Sequence, residues 1–289
     1  AASPDNPADA QLAATLLALM AREDVLSAQP QRWLGAGGTP TTDEEYAGEL
    51  TLSPSQFERA LACPLRWFLT TVGADGPSNA AASLGTLIHA VAEEHPHGTP
   101  EELTEALDAR IEELGYNLDT WAGRHSDRRA RAIVENLASY LVGVPGRVDV
   151  EQKVEAQVEG VTIRGRMDRL EYVDEGVRVT DLKTGSNSDP YRKVDENAQL
   201  AAYQLALLAS GEDVAGARIA LLGTKKKPQT FDQKPLQGEA LAQWRNKVRE
   251  VAESARGPYF EARPSDAACA YCSFDRLCPA RERGHKVVE

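Results

Sequence analysis

Two stretches, Val161-Thr-Ile-Arg-Gly-Arg-Met-Asp-Arg-Leu170 and Val177-Arg-Val-Thr-Asp-Leu-Lys183, decide the fold. Their apolar residues recur with period two and are rich in valine and isoleucine, the pattern of half-buried strands. Val173-Asp174-Glu175-Gly176 between them reads as a hairpin turn. A third run, Val148-Asp-Val-Glu-Gln-Lys-Val-Glu-Ala156, has the same period, so three strands follow one another.

Outward from this block the period lengthens. After it come a helix at about 196–210, a strand at about 217–223 and a helix at about 237–255. Before it, helices are expected at about 83–95, 100–115 and 126–142. Leu52-Ser53-Pro54-Ser55 reads as a helix start, with Ser53 as cap and Pro54 at the first helical position, and the helix continues through Trp67 and Phe68. Helices before, between and after a short strand block predict an α/β or α+β sheet with helical cover. The first 35 residues carry a helical pattern (Leu12, Leu16, Leu17, Leu19, Met20), and the Gly/Pro/Thr stretch from Gly35 to Asp43 reads as a linker. Residues 1–50 are therefore expected to be a helical leader and linker, and residues 51–289 a domain.

Composition narrows the function. The 289 residues carry a formal charge of −12, which argues against a uniformly basic nucleic-acid binder. Basic groups do cluster locally, at Arg124, Arg128, Arg129 and Arg131 and at Lys225-Lys226-Lys227, either as solvated faces or as rims of a phosphate site. No run of 18 apolar residues exists, and Ala1-Ala2-Ser3-Pro4-Asp5 lacks the order of a secretory signal, so a cytoplasmic location is expected. A start without methionine suggests a processed chain or a piece of a longer one. No Gly-x4-Gly-Lys-Ser/Thr loop is present, so no ATP site is visible.

The strand block also carries the candidate chemistry. Asp181 and Lys183 are two apart on a strand and leave it on one face. A two- or four-residue turn would set Asp168 directly opposite Asp181, with the carboxylates about 5 Å apart on a shared face. A three-residue turn without a bulge would separate them. Two carboxylates so close need a cation between them, and Mg2+ or Mn2+ suits oxygen ligands. Such an ion can activate water and neutralise a phosphoryl transition state, with Lys183 positioning the water or meeting phosphate oxygens.

The cysteines form a second constellation. Cys63 stands alone, while Cys269-x2-Cys272-x5-Cys278 closes the chain. Four thiolates satisfy one [4Fe–4S] cluster, and here the ligands would tie the two ends of a domain together. Zinc, or plain buried and surface cysteines, are the alternatives.

The order Gly165-Arg166-Met167-Asp168-Arg169, then Asp181-Leu182-Lys183-Thr184-Gly185, then Gln199-x3-Tyr203 resembles the PD-(D/E)xK nuclease superfamily in its RecB/AddB-type branch. Gly85-Thr86-Leu87-Ile88-His89 matches that branch's upstream Gly-x3-His helix, so the likeness runs from about residue 51 to 280. The resemblance implies a restriction-endonuclease-like core: a short mixed sheet flanked by helices. It implies that His89, Asp168 and Asp181 hold the catalytic metal with the backbone carbonyl of Leu182, and that Lys183 is the catalytic lysine. Gln199 and Tyr203, at i and i+4 on one helix face, would contact DNA backbone or support the site. Glu93, four residues after His89, would orient its imidazole. Glu155 on the first strand is a further candidate. The cysteine layout, with Leu52–Ser55, Cys63-Pro64-Leu65-Arg66-Trp67 and Gln29-Pro30-Gln31-Arg32-Trp33, is similar to the C-terminal nuclease domains of actinobacterial AdnA/AdnB helicase–nucleases.

What the resemblance implies is a Mg2+/Mn2+-dependent deoxyribonuclease with a structural iron–sulfur staple, cutting DNA strands delivered by a helicase motor during double-strand break repair. The motor would lie in the same polypeptide or in a partner subunit. The other readings are a catalytically idle iron–sulfur module that binds DNA ends, and a free-standing Cas4-like exonuclease.

Overall fold

The two deciding stretches form β3 (Val161–Val173) and β4 (Gly176–Lys183), and Val148 opens β2 (Val148–Val158). The computed structural model describes residues 7–29, 44–74, 84–111, 115–270, 272–275 and 277–281. The linker reading at Gly35–Asp43 and the Gln29–Trp33 stretch beyond Gln29 fall outside those residues. The chain divides into two units, one of residues 1–45 with 275–289, the other of residues 46–274. The first contains the expected leader helix, α1 (Pro7–Arg22). The second holds the sheet.

Six strands make that mixed sheet, in the order β1 (Leu50–Leu52), β3, β4, β5 (Val214–Leu221), β6 (Gln229–Gln233), with β2 on the free side of β3. The β3–β4 hairpin turns on Asp174 and Glu175 alone, since Val173 pairs with Gly176. That is the two-residue turn whose register sets position 168 opposite 181. β1 and β4 share one edge of β3: β1 runs parallel to residues 161–163, and β4 runs antiparallel to 169–173. The stretch 164–168 between them has no strand partner on that edge, and Asp168 sits at its end.

Helices cover both faces. On one, α2 (Pro54–Ala62), α7 (Ala198–Ala209) and α8 (Gly238–Ala255) bury Phe57, Leu200 and Val248 against Ile163, Met167 and Val179. On the other, α4 (Leu84–Glu94), α5 (Pro100–Asp108) and α6 (Trp121–Val142) bury Ile88, Leu103, Ile133 and Leu137 against Leu182 and Ala220. Each such side chain contributes about 1.5–3 kcal/mol when removed from water. No described helix is long and apolar enough to cross a membrane.

Two local outcomes differ from the sequence expectation. The helix expected to run from Ser53 through Phe68 breaks at Cys63, which is extended (φ −161°) between α2 and α3 (Pro64–Thr71). Pro64 causes this: it excludes the helical region for the residue before it and starts α3 as its first residue. Cys63 is thus a junction residue, not part of an apolar helix. Ser53 does cap α2, in a reciprocal capping box with Gln56. The short strands β1 and β6 carry too few residues for period two to reveal them.

A close backbone approach fixes the segment after Lys183. A Cβ on Gly223 would lie 2.3 Å from the carbonyl oxygens of both Thr184 and Gly185, so only glycine lets these chains pass. Leu222 N–H donates to the Lys183 carbonyl at 2.7 Å, extending the parallel β4–β5 pairing past the lysine.

Candidate active site and metal centre

The site lies where β3 and β4 part company. Their pairing ends at Arg169 with Thr180. One residue further on, the Leu182 N–H donates to Asp168 Oδ2 at 2.7 Å in place of a backbone carbonyl. In an extended strand the N–H and C=O of one residue leave by the same edge. The Leu182 carbonyl is therefore directed to the edge that carries Asp168.

Asp168 is also bound to the Gly-x3-His helix. His89 Nδ1 on α4 lies 3.2 Å from Asp168 Oδ1, and this bond holds the imidazole pKa above its ordinary value despite burial. The i+4 neighbour Glu93 was expected to orient His89; the partner is Asp168 instead, and Glu93 lines the same cleft of 520 Å³. Gly85, Thr86, Glu151 and Arg166 complete most of the lining.

Glu151 is the residue that sequence reading missed. His89, Glu151 and Asp168 each offer a ligand atom within 4.8 Å of the others, the one such three-residue group found among the described residues. The β2–β3 register sets Glu151 opposite Asp168, between the pairs Val150–Arg169 and Gln152–Met167. Its backbone is left-handed, φ +51°. This breaks the alternation of β2 and swings the carboxylate out of the regular ladder. Burial raises the Glu151 pKa, opposed by Arg166, with which it is ion-paired. The signal was present: the tight turn at Glu159-Gly160 fixes a register that places 151 across from 168.

Glu155, the candidate chosen on that strand, lies elsewhere. It is exposed and grips Arg164 with both oxygens, at 2.7 and 2.9 Å. It takes no part in the group around Asp168.

Asp181 and Lys183 share a face, as their spacing requires, and form an ion pair of 2.8 Å. Gln199 on α7 ties the pair together. Its amide nitrogen donates to Asp181 Oδ1 at 2.8 Å, and its oxygen accepts from Lys183 Nζ at 3.2 Å. Asp181 Oδ2 has the lysine charge beside it but no well-aligned hydrogen-bond donor. A buried lone pair of this kind suits a cation. Burial pushes the Asp181 pKa up, against the pull of Lys183, and the Asp168 carboxylate adds to the rise. For Lys183 burial works to lower the pKa, but the Asp181 carboxylate prevails and holds it above the usual lysine value. Tyr203, expected to face DNA or support the site, is anchored by its buried hydroxyl, which donates to the Arg166 carbonyl at 2.8 Å.

Divalent cations fit this donor set, since two carboxylates and an imidazole meet at a gap in the sheet and hard ions take carboxylate oxygens readily; Asp181, expected as a third ligand, lies outside that three-residue group and is held by Lys183 and Gln199. The cysteines are less gathered. Cys63, Cys269 and Cys272 are half-buried and free, and they do not come within 4.8 Å of one another as a group. Four hydrogen-bonded contacts do bring the Cys63 junction to the segment before Cys269. Leu65 N–H donates to the Glu261 carbonyl, Arg66 to the Ala268 carbonyl at 2.8 Å, Arg263 to the Leu61 carbonyl at 3.4 Å, and the Cys63 thiol sits 4.0 Å from the Glu261 carbonyl. Cys278 belongs to the other unit.

A family model and several known proteins resemble this chain. The family model described as the PD-(D/E)XK nuclease superfamily matches residues 51–279. The gene 69 protein of Mycobacterium phage D29 is 27% identical over 267 residues, an alignment covering 78% of this chain and 96% of that protein. Among solved structures, SSO0001 aligns with a TM-score of 0.42 and 17% identity, over 94% of this chain and 97% of its own. A putative exonuclease from Eubacterium rectale aligns with a TM-score of 0.48 and 13% identity, over 87% of this chain and 96% of its own.

Proposed function

Because this chain belongs to the PD-(D/E)XK nuclease superfamily, we propose that it hydrolyses phosphodiester bonds of DNA with a divalent cation, Mg2+ or Mn2+, held by His89, Glu151, Asp168 and Asp181 and by the Leu182 carbonyl. The observation that supports this reading most directly is the convergence of His89, Glu151 and Asp168 beside the Asp181–Lys183 pair. A bound cation would supply an activated water and neutralise charge on the phosphate. The chain's own groups do the rest. Lys183, kept protonated by Asp181, presents an ammonium to phosphate oxygens as their charge grows. Gln199 fixes the separation of Asp181 and Lys183 through one amide, so that both act from a set geometry. Asp168 holds His89 in place from β3, and Tyr203 braces the strand at Arg166.

We further propose that Cys63, Cys269, Cys272 and Cys278 hold a [4Fe–4S] cluster with a structural role, and that residues 51–289 form the nuclease domain. The hydrogen bonds joining residues 61–66 to 261–268 support this, because they bring the lone cysteine to the cysteine-rich segment. In the first reading the substrate strand is delivered by a helicase motor during break repair. A free-standing exonuclease is the second reading. It is favoured by the phage relative, 96% of whose length aligns here, which leaves little room in that protein for a motor.

Cleavage of end-labelled single-stranded DNA with Mg2+ or Mn2+ tests the proposal, with visible spectra and iron content measured alongside. Asp181→Ala and Lys183→Ala are expected to abolish cleavage while leaving the spectrum unchanged. A cluster lost in either variant would show that chemistry and scaffold have been wrongly separated, and iron-free, folded protein would remove the cluster. No cleavage by the unaltered, folded chain with either metal and no motor would count against the free-standing exonuclease.

A further inference from the structure

Two clefts bear on this site, and Lys183 of the Asp181–Lys183 pair lines the second of them. One holds the candidate metal ligands. The other, of 580 Å³, is lined by Lys183 and Gln199 and walled by Ser55, Glu58, Arg59 and Arg66. That size is in the range of clefts that enclose one small ligand. The wall is built by design of the sequence: Ser55, Glu58, Arg59 and Ala62 are spaced i, i+3, i+4, i+7 and so form one face of α2. The opposite face is fixed by Phe57 and Ala60, wholly buried in the core, and the helix start is locked by the Ser53–Gln56 box. The orientation of the wall is therefore set before any ligand arrives.

Arg66 is committed, donating to the Ala268 carbonyl at 2.8 Å. Arg59 is not: half-buried, its guanidinium has no hydrogen-bond or ion-pair partner among the described residues. The acidic neighbour Glu58 is likewise without a bonded partner, and feels Lys183, Asp181 and Arg59 only through space. A guanidinium held in a cleft beside a catalytic lysine, in a chain of net charge −12, is placed to meet an anion.

From this we infer that the cleft walled by α2 is the binding subsite for the phosphate next to the one cleaved, with Arg59 as its principal ligand. The inference rests on the nuclease reading for its substrate and adds a path to it: the strand passes over Asp181 and Lys183 from the metal cleft into the Arg59 cleft. Glu58, the one acid among the described residues lining this cleft, weakens the hold on phosphate, so that a nucleotide can leave.

The test is the salt dependence of binding of a fluorescent single-stranded oligonucleotide to the full chain, with Ca2+ in place of Mg2+, alongside cleavage in Mg2+ or Mn2+. Each phosphate contact on a single strand contributes about 0.7 to the slope of log K against log salt. Arg59→Ala is expected to lower that slope by about one such step and to weaken binding about tenfold, as for a charge-assisted hydrogen bond. Arg59→Lys restores most of the slope, and Glu58→Gln tightens binding. In cleavage, KM rises for Arg59→Ala with kcat little changed. A slope and affinity unchanged in folded Arg59→Ala would overturn the subsite while leaving the nuclease reading intact. A slope that falls in a protein that cleaves no DNA with either metal would do the reverse. A methylphosphonate beside the scissile linkage weakens binding to the unaltered chain but not to Arg59→Ala; equal loss in both would also overturn the assignment.

Discussion

Replacing Glu151 by glycine and by alanine separates what its backbone costs from what its carboxylate does. Both variants remove the same carboxylate, its ion pair with Arg166 and its repulsion of Asp168, so their difference isolates the backbone. At φ +51° a residue with a Cβ is strained by roughly 1–2 kcal/mol, which glycine escapes. Glycine loses about 0.4–1 kcal/mol of that gain through its freer unfolded chain. The glycine variant should therefore be more stable than the alanine variant by about 0.5–1 kcal/mol, a rise in Tm of about 1–4 °C for a domain of this size. Metal affinity should fall equally in both, by more than the roughly 10–100-fold typical of removing an outer-shell partner. Thermal unfolding of metal-free protein and calorimetric titration with Mn2+ measure the two quantities. Equal midpoints for glycine and alanine would refute the strain, and Mn2+ affinity retained in both would refute Glu151 as a ligand.

Two further outcomes follow from the site. Gln199→Ala leaves Asp181 and Lys183 in place but unaligned, so activity should fall about 10–100-fold with little loss of stability; activity within twofold of the parent would remove the amide from the mechanism. For His89 the folded pKa is raised, so the proton favours the metal-free state until the pH exceeds that value. The stability given by the His89–Asp168 pair is accordingly present below the unfolded pKa of about 6.5 and lost as pH rises through the folded one. Metal binding needs neutral imidazole, so affinity should climb with pH and level off above 6.5. A plateau reached below that pH, or a bend that survives in His89→Gln, would contradict the assignment.

The hairpin was legible because period-two alternation is short-range, whereas its register stayed open between two-, three- and four-residue turns until the pairing of Val173 with Gly176 fixed it. Asp181 and Lys183 were legible for the same reason, and Ser53 because a cap is local chemistry. What escaped depends on distant parts of the chain. Glu151 joins the site through the β2–β3 register, which sets it opposite Asp168, and through its left-handed backbone, a break in alternation that a period-two reading does not foresee. Glu155, with ordinary alternation, was the natural choice and proved to serve Arg164. Glu93 obeys helical spacing from His89, but the carboxylate that reaches the imidazole comes from the strand beneath. Pro64 is visible in the sequence as a helix breaker, yet the apolar residues on both sides read as one helix because Pro64 also begins the second.

The hydrogen bonds that tie residues 61–66 to 261–268 set the order in which this site can come into being. Asp168, Asp181 and Lys183 lie on adjacent strands and can assemble early from one hairpin. The cleft beside Lys183 also needs Ala268, some 202 residues beyond Arg66, to close its outer wall. Closing a loop of that length costs about 5 kcal/mol of chain entropy before any contact repays it. A chain still being synthesised would thus carry its reactive carboxylates for some time without the finished cleft, which makes the joining of residues 61–66 to 261–268 a later step than the hairpin.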